Sequence, residues 1–580
     1  MSDIEAVRDG SAQGQGDIPD YIPTSLEEID KVGLRLPHLN IPYHTKPYQT
    51  NTDFVHRSPF FVYTTQIYAR LNARFDSLAT HSLAYRLYNL KQLGYLIKDN
   101  EKRIQAAVYT DLGKGGFDVS SGDLWPILNE IDLAVRRVKG WMKDESRIWD
   151  AMFSFKFMRP RIKKQPKGII SAWNFPWQLT LCPLIGAIAA GCPAVIKVSE
   201  HAPSSSALIA ELLPRYLDPE GYAVVLGAAE ESTKLLEKSW GHILYTGSGN
   251  VGKIVAAAAA KTLTPTTLEL GGKSPVVVSS CANMKIAARR MFTIKQMAAG
   301  QICIAPDYVL VVKDKVNEFI DACKETVDTL FPPSPSPWSF LHTPQSSSMR
   351  NTGDFDRMIS YIDRAEQQGK LVHRGEINKD NRRIGISLVK MNPNAEGESG
   401  GLVEDEVFGP VMAIIPVDDI DAAIRYINAR PHPLALYVCA SKRSVFKKVI
   451  DQTWSGSATW NDFAFATYAR NLPFGGVGAS GWGSYHGKDG FDTFTHHKSV
   501  LEIPYIFEPL MALRYPPLTN LRKILFKFLL CAGVGYSRPV SVEREESKLR
   551  RKKVVKWMTT ILVGLVAVYL GGLRWRSWKG

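Results

Sequence analysis

His242-Ile243-Leu244-Tyr245-Thr246-Gly247-Ser248-Gly249-Asn250-Val251-Gly252-Lys253-Ile254-Val255-Ala256 runs without a break from an apolar strand pattern through a glycine turn into a helix pattern. Gly247, Gly249 and Gly252 satisfy G-x-G-x-x-G between the two. Main-chain N–H groups gathered at a helix N-terminus favour a pyrophosphate. Glycines at turns are common, so the spacing alone is weak, and its strand-to-helix setting gives it weight. Working outward, the same alternation repeats. Strand-like apolar runs at 167–171, 194–198, 223–226 and 243–246 are interleaved with the Ala-rich 184–190 and with helical patterns at 205–212 and 251–260. A second series follows, with strands at 274–278, 308–312 and 411–417 and helices at 284–299, 316–330 and 444–452. Such alternation predicts parallel α/β sheets in two α/β domains.

Upstream, Leu71, Leu78, Leu87, Leu90, Leu93, Leu96, Ile97 and Ile104 recur at helical spacing, and residues 1 to about 60 are polar and read as an arm. The Pro- and Ser-rich 332–352 reads as a surface loop. The seven cysteines lack C-x-x-C spacing and Cys/His clusters, which argues against a structural zinc site or a disulfide scaffold; no metal is expected. Of these, Cys182, Cys192 and Cys281 read as structural. The acidic N-terminus carries no secretory signal.

The formal charge of +14 is carried in part by Arg550, Arg551, Lys552, Lys553, Arg574, Arg576 and Lys579. These flank the uncharged apolar run 557–573, which has Trp557, Trp575 and Trp578 at its margins. A helix of that length spans about 26 Å, near the ~30 Å hydrocarbon core, and predicts a transmembrane tail anchor. A buried C-terminal helix is the plain alternative. Charge placed there favours a membrane over nucleic acid as a partner. In 521–536, Arg522, Lys523 and Lys527 mix with Ile524, Leu525, Phe528, Leu529 and Leu530; a helix of this kind lies on a membrane or packs back on the body.

Two acidic residues compete for the ribose position that a dinucleotide site requires: Glu269, near the expected spacing beyond the glycines, and Glu200, at the end of the strand carrying Lys197. The surrounding motifs arbitrate. Leu268-Glu269-Leu270-Gly271-Gly272-Lys273-Ser274-Pro275 is followed by Gly300-Gln301-Ile302-Cys303. Trp173-Asn174-Phe175-Pro176-Trp177, Lys197-Val198-Ser199-Glu200, Tyr245-Thr246-Gly247-Ser248, Glu406-Val407-Phe408-Gly409-Pro410 and Leu472-Pro473-Phe474-Gly475-Gly476-Val477-Gly478 stand in order around them. Together these resemble the aldehyde dehydrogenase superfamily over residues 66–505. Ala305-Pro306-Asp307-Tyr308, Tyr485-His486-Gly487-Lys488, Phe491-Asp492-Thr493-Phe494 and Arg514-Tyr515-Pro516-Pro517 look like its class 3 branch, which includes membrane-bound fatty aldehyde dehydrogenases.

The resemblance implies an α/β fold with a Rossmann-type cofactor domain at 66–268, bridging strands near 146–165, a catalytic α/β domain at 269–470 and a bridging β segment at 471–505. A basic linker at 506–556 and the C-terminal transmembrane helix would follow. It implies Cys303 as nucleophile, Glu269 as general base and Asn174 as oxyanion donor. For NAD, with NADP also acceptable, it implies Lys197 and Glu200 at the ribose, Gly247, Ser248, Gly249, Asn250, Val251 and Gly252 at the pyrophosphate, and Glu406 with Phe408 at the nicotinamide riboside.

The chemistry is coherent without the name. A soft nucleophile makes the aldehyde carbon tetrahedral, donors hold the oxyanion, and a base activates water against the resulting thioester. Plain alternatives stand beside each role: Cys303 as a small buried hydrophobe, Asn174 shaping a turn, Glu269 capping a helix or pairing with Lys273. The aromatics Phe463, Phe465 and Tyr468 lie in 460–471, a region that often borders the substrate tunnel in this family. Long-chain aliphatic aldehydes are the leading substrate reading, apocarotenal-type polyene aldehydes the second, and a catalytically silent membrane scaffold the rival from another class. A homodimer, with its body in the cytosol at the endoplasmic reticulum or the mitochondrial outer membrane, completes the expectation.

Overall fold

The computed structural model describes residues 59–146, 161–166, 174–333, 339–343, 345–393, 400–530 and 537–577. Of the polar arm expected up to residue 65, residues 1–58 lie outside the described residues, as does the strand expected at 167–171. The chain divides into two units, Met1–Asp144 with Lys163–Lys498, and Glu145–Ile162 with Ser499–Gly580.

In the first unit, helix α1 (Pro59–Asp76) begins ahead of the expected boundary at 66, and α2 (Leu83–Leu112) follows. Ser82 caps α2 by accepting from the Tyr85 N–H, and Gly113 ends it with φ of 63°, a conformation that costs glycine little. Leu90, Leu93, Ile97, Ile104 and Val108 are buried at three- and four-residue spacing, so one stripe of α2 faces the core. Helix α3 (Trp125–Trp141) lies beside it, and α4 (Gln178–Ala190) is buried at every position. A helix apolar all round has to be enclosed by other elements.

Strands β1 (Ala194–Lys197) and β2 (Tyr222–Val225) pair in parallel. Strands β3 (Ile243–Gly247) and β4 (Thr266–Leu270) form a second parallel pair, connected through helix α5 (Gly249–Ala260). The larger sheet holds β5 (Pro275–Val278), β6 (Tyr308–Val312), β7 (Leu371–His373), β8 (Ser387–Lys390), β9 (Val411–Val417), β10 (Ala435–Cys439) and β11 (Ser457–Trp460) in the order β11-β10-β5-β6-β9-β8-β7. All its pairings are parallel except β8 with the edge strand β7. Val276, Val277, Val278, Val309, Leu310 and Val311 are fully buried, as two-face covering of a parallel sheet demands. One short strand matters for the site: β12 (Gly481–Trp482) pairs antiparallel with β4, setting Gly481 opposite Glu269.

Two expectations need correction. Helix α6 (Met284–Gln296) stops three residues before the expected end at 299, because Ala298, Ala299 and Gly300 take φ values of 51°, 52° and 73°. No right-handed helix continues through such residues. The loop at 332–352 is not simply a surface loop: Leu341, Ser346, Ser347 and Met349 are buried, and the buried Arg383 donates to the carbonyls of Leu341 at 2.9 Å and Thr343 at 3.0 Å. A guanidinium there satisfies loop carbonyls that would otherwise be stranded from water.

In the second unit, Glu145–Ser146 pairs antiparallel with Arg161 and Ile162. Helices α7 (Asn520–Leu530) and α8 (Val542–Ser577) follow. Among the described residues no helix is long and apolar enough to cross a membrane. The side chains from 563 onward, which make up most of the run at 557–573, lie outside the described residues.

Candidate active site

Cys303 follows the left-handed turn that ends α6 and lines an open pocket. Phe175, Leu179, Ile294, Met297, Ile302 and Phe474 make its walls largely apolar, and Tyr485 and His486 add polar edges. The thiol is half-buried. Burial pushes its pKa up to about 12, and the charges of Glu406 and Glu269 push the same way, while the N–H groups of Cys303 and Ile304 favour the thiolate. Of the aromatics expected to border this pocket, Tyr468 does so, with Ala464 and Thr467. Phe463 is fully buried in the core instead, and Phe465 is exposed. Phe463 packs against Tyr437 with ring centres 4.9 Å apart, and Phe465 lies against Tyr468 at 5.6 Å.

Glu269 sits within β4, its backbone between Thr246 of β3 and Gly481 of β12. Gly481 has φ of 113°, and a Cβ there would collide with the Leu268 carbonyl, so only glycine lets β12 close over this point. The carboxyl is buried, and neither oxygen has a hydrogen-bond partner among the described residues. Burial therefore holds its pKa well above the ordinary 4.5. The alternative pairing with Lys273 does not form: that ammonium donates to Asp307 Oδ1 at 2.5 Å and to the carbonyls of Leu402 and Asp405. The Glu269 charge instead acts on Cys303 and Tyr485.

Asn174 is buried, and its side-chain Nδ2 donates to the Gln301 carbonyl at 3.1 Å, two residues before the thiol. Sequence reasoning missed what lies beneath it. Lys114 donates to the Asn174 carbonyl at 2.7 Å and pairs with Asp123 at 3.3 Å, both side chains being buried. Asp123 in turn accepts from the N–H groups of Trp177 and Gln178, and the Lys114 ammonium stands 3.6 Å from the centre of the Phe175 ring. No spacing rule links these positions, so the sequence carried no signal for the pair.

Of the expected cofactor residues, Lys197 and Glu200 stand at the end of β1, residues 247–252 at the end of β3, and Glu406 and Phe408 just ahead of β9. Lys197 donates to Glu200 at 2.7 Å, and although burial opposes it, that bond and charge hold the Glu200 carboxyl below its ordinary value. Ser248 caps α5 by accepting from Val251, and Asn250 and Val251 are exposed on its first turn. A Cβ at Gly252 would come within 2.7 Å of Leu270, so this glycine lets α5 rest on β4. A Cβ at Gly249 would meet nothing within 4 Å. Glu406 is half-buried, its carboxyl pushed up to about 8 by burial and by the charge of Asp307, and Gly271 gives it room, since a Cβ there would strike it. Phe408 beside it has a left-handed φ of 48°.

A model of the aldehyde dehydrogenase family matches residues 64–500. The chain belongs to the aldehyde dehydrogenase family. It is an oxidoreductase acting on aldehydes. Mouse aldehyde dehydrogenase family 3 member A2 is 38% identical over 467 residues, covering 80% of this chain and 93% of that protein. The rat dimeric NADP-preferring aldehyde dehydrogenase is 37% identical over 452 residues, covering 77% and 96%. Among solved structures, the substrate-bound state of Staphylococcus aureus AldH matches with a TM-score of 0.71 and 34% identity, over 77% of this chain and 98% of that one.

The enzyme's own residues are compatible with a nicotinamide dinucleotide: the open space above Gly249 leaves the N–H groups of the first turn of α5 approachable, and the Glu200 carboxylate offers acceptor oxygens of the kind a hydroxyl group would need. No group of three or more His, Cys, Asp and Glu suited to a metal occurs among the described residues.

Proposed function

We propose that the enzyme oxidises long-chain aliphatic aldehydes to carboxylic acids with NAD or NADP. The observation that carries this reading is the pocket at Cys303, whose walls of Phe175, Leu179, Ile294, Met297, Ile302 and Phe474 offer an alkyl chain about 25 cal/mol for each Å² of apolar surface it hides from water. Cys303 adds as thiolate to the aldehyde carbon, and the thiohemiacetal oxyanion takes its hydrogen bonds from the Asn174 amide and the Cys303 N–H. Bound nicotinamide supplies the hydride acceptor that turns this adduct into a thioester. Glu269, held in an apolar setting with no competing partner, then takes the proton of the attacking water. Lys197 and Glu200 hold the adenosine ribose, residues 247–252 the pyrophosphate, and Glu406 with Phe408 the nicotinamide riboside.

The run 557–573 anchors the enzyme by its tail to the endoplasmic reticulum or the mitochondrial outer membrane, with the catalytic body in the cytosol and two copies forming a dimer. Uncharged length and flanking basic clusters support the anchor, and the name of the rat relative supports the dimer. Anchoring concentrates the enzyme where a bilayer-dissolved aldehyde is found. Reduction of NAD and NADP across aldehyde chain lengths, with wild type against Cys303→Ala, tests the reaction. Removing residues 557–580 should spare turnover of short aldehydes and lower turnover of long ones embedded in vesicles. Equal loss on both would count against the membrane reading.

A further inference from the structure

A second cavity opens in the same unit beside β7 and is separate from the pocket of the nucleophile. It is lined by Gln296, Phe331, Phe340, Leu341, His373 and Ile386, with charged groups toward its edge. Gln296 is the unusual member. It is 3% exposed, and neither its amide nitrogen nor its amide oxygen has a hydrogen-bond partner among the described residues. A buried amide left unmatched is a standing penalty that a matching ligand would relieve.

The rest of the lining narrows the ligand. Arg374, the one arginine there, is taken by Glu366 at 2.6 Å and Asp363 at 3.0 Å, and Glu376 is held by Ser339 at 3.0 Å. With its cation already matched and Asp328 exposed at the edge, the cavity is poor for a phosphate or a carboxylate. Phe331 and Phe340 meet edge-to-face at 5.0 Å and make an aromatic corner suited to a flat ring. An amide that offers a donor and an acceptor side by side is matched by a lactam or carboxamide, which presents the same two groups in complementary order.

The position of Gln296 also ties this cavity to the chemistry. Ile294 and Met297 line the pocket of Cys303, while Gln296 between them lines the other, so the last turn of α6 is a wall common to both. Directly after it come the left-handed residues Ala298, Ala299 and Gly300, then Gln301, whose carbonyl receives the Asn174 amide. Non-glycine residues held at positive φ are strained, so a shift at Gln296 passes into a segment with little slack.

We propose that this cavity binds a small uncharged planar molecule presenting a lactam or carboxamide edge to Gln296, and that its occupancy changes the reactivity of Cys303. The inference does not depend on which aldehyde the enzyme oxidises. Benzamide and 2-pyridone are the probes, with toluene and benzoate as controls, measured on the full-length enzyme by saturation-transfer NMR. Both probes should bind with dissociation constants on the order of 1 mM, within the efficiency expected of ligands this small, and benzoate should bind more weakly.

Gln296→Leu, which replaces an unbonded amide with an apolar group of similar length, should leave thermal stability equal or higher and weaken both probes about tenfold or more. Phe331→Ala should weaken them as well. In wild type, bound benzamide should change the rate at which iodoacetamide alkylates Cys303, and in Gln296→Leu it should not. Failure of both probes to bind near 20 mM, far above the expected constant, would overturn the site. So would binding that Gln296→Leu leaves unchanged, and an unaltered alkylation rate at saturating benzamide would overturn the link to the nucleophile.

Discussion

The buried ammonium of Lys114 donates to the main-chain carbonyl of Asn174 at 2.7 Å while pairing with Asp123 at 3.3 Å, so one ion pair sets the turn that aims the Asn174 amide at the nucleophile segment. Burial pulls Lys114 down in pKa and pushes Asp123 up, and each is countered by the other. The pair is therefore stable only as a pair.

Lys114→Met should cost about 3–5 kcal/mol, the usual consequence of stranding one buried charge. The double variant Lys114→Met/Asp123→Leu should recover a large part of that stability, because it removes the stranded carboxylate. Turnover should stay low in both, since neither restores the donor to the Asn174 carbonyl. Thermal melts together with kcat on one aldehyde check this. A single variant as stable as wild type would refute it.

How much of this was readable beforehand follows from locality. The strand, glycine turn and helix at 243–260 are specified by neighbours in sequence, and the structure places Ile243–Gly247 and Gly249–Ala260 there. Cys303, Glu269 and Asn174 stood out by the motifs around them, and their charges and hydrogen bonds do converge. The Lys114 and Asp123 pair is invisible because its main-chain partners, at Asn174 and Trp177, lie 60 and 54 residues away. Phe463 and Phe465 differ from expectation for a related reason: aromatic content is visible in sequence, but the packing of Phe463 on Tyr437, 26 residues away, and the exposure of Phe465 are set by the fold.

Gly481→Ala should be more damaging than a small change suggests. The added Cβ meets the Leu268 carbonyl and must adopt φ near 113°, so β12 has to part from β4. A loss of about 1–3 kcal/mol is expected from the backbone alone. Because Glu269 lies opposite, hydrolysis should slow more than thioester formation, which pre-steady-state kinetics would separate.

Glu406 predicts a pH dependence of stability. Its carboxyl is raised from 4.5 to about 8 in the folded chain, so between those values the folded state holds a proton that the unfolded state has released. Stability from this group is complete below pH 4.5 and falls as pH rises through 8. At about 1.4 kcal/mol per unit, the loss amounts to a few kcal/mol. Glu406→Gln should melt higher than wild type at pH 8.5 and nearly alike at pH 5, a difference that differential scanning fluorimetry would show. Parallel curves for the two proteins would count against it.

The division of labour between Cys303 and Glu269 can be separated by pH. Burial raises the pKa of both groups, Glu269 well above 4.5 and Cys303 to about 12. Each acts in its deprotonated form, so kcat/KM should climb as pH rises across the neutral range. Cys303→Ala should lower kcat by roughly 10⁴-fold or more, because no adduct forms. Glu269→Gln should still accept the aldehyde and release one equivalent of reduced cofactor quickly, then stall with the acyl group on sulfur. Intact mass spectrometry would find that acyl adduct, and steady-state turnover should lose its rising limb with pH. Wild-type turnover by Glu269→Gln with no accumulated thioester would move the base to another residue, and Glu406, the other raised carboxyl acting on the thiol, would be the next to replace.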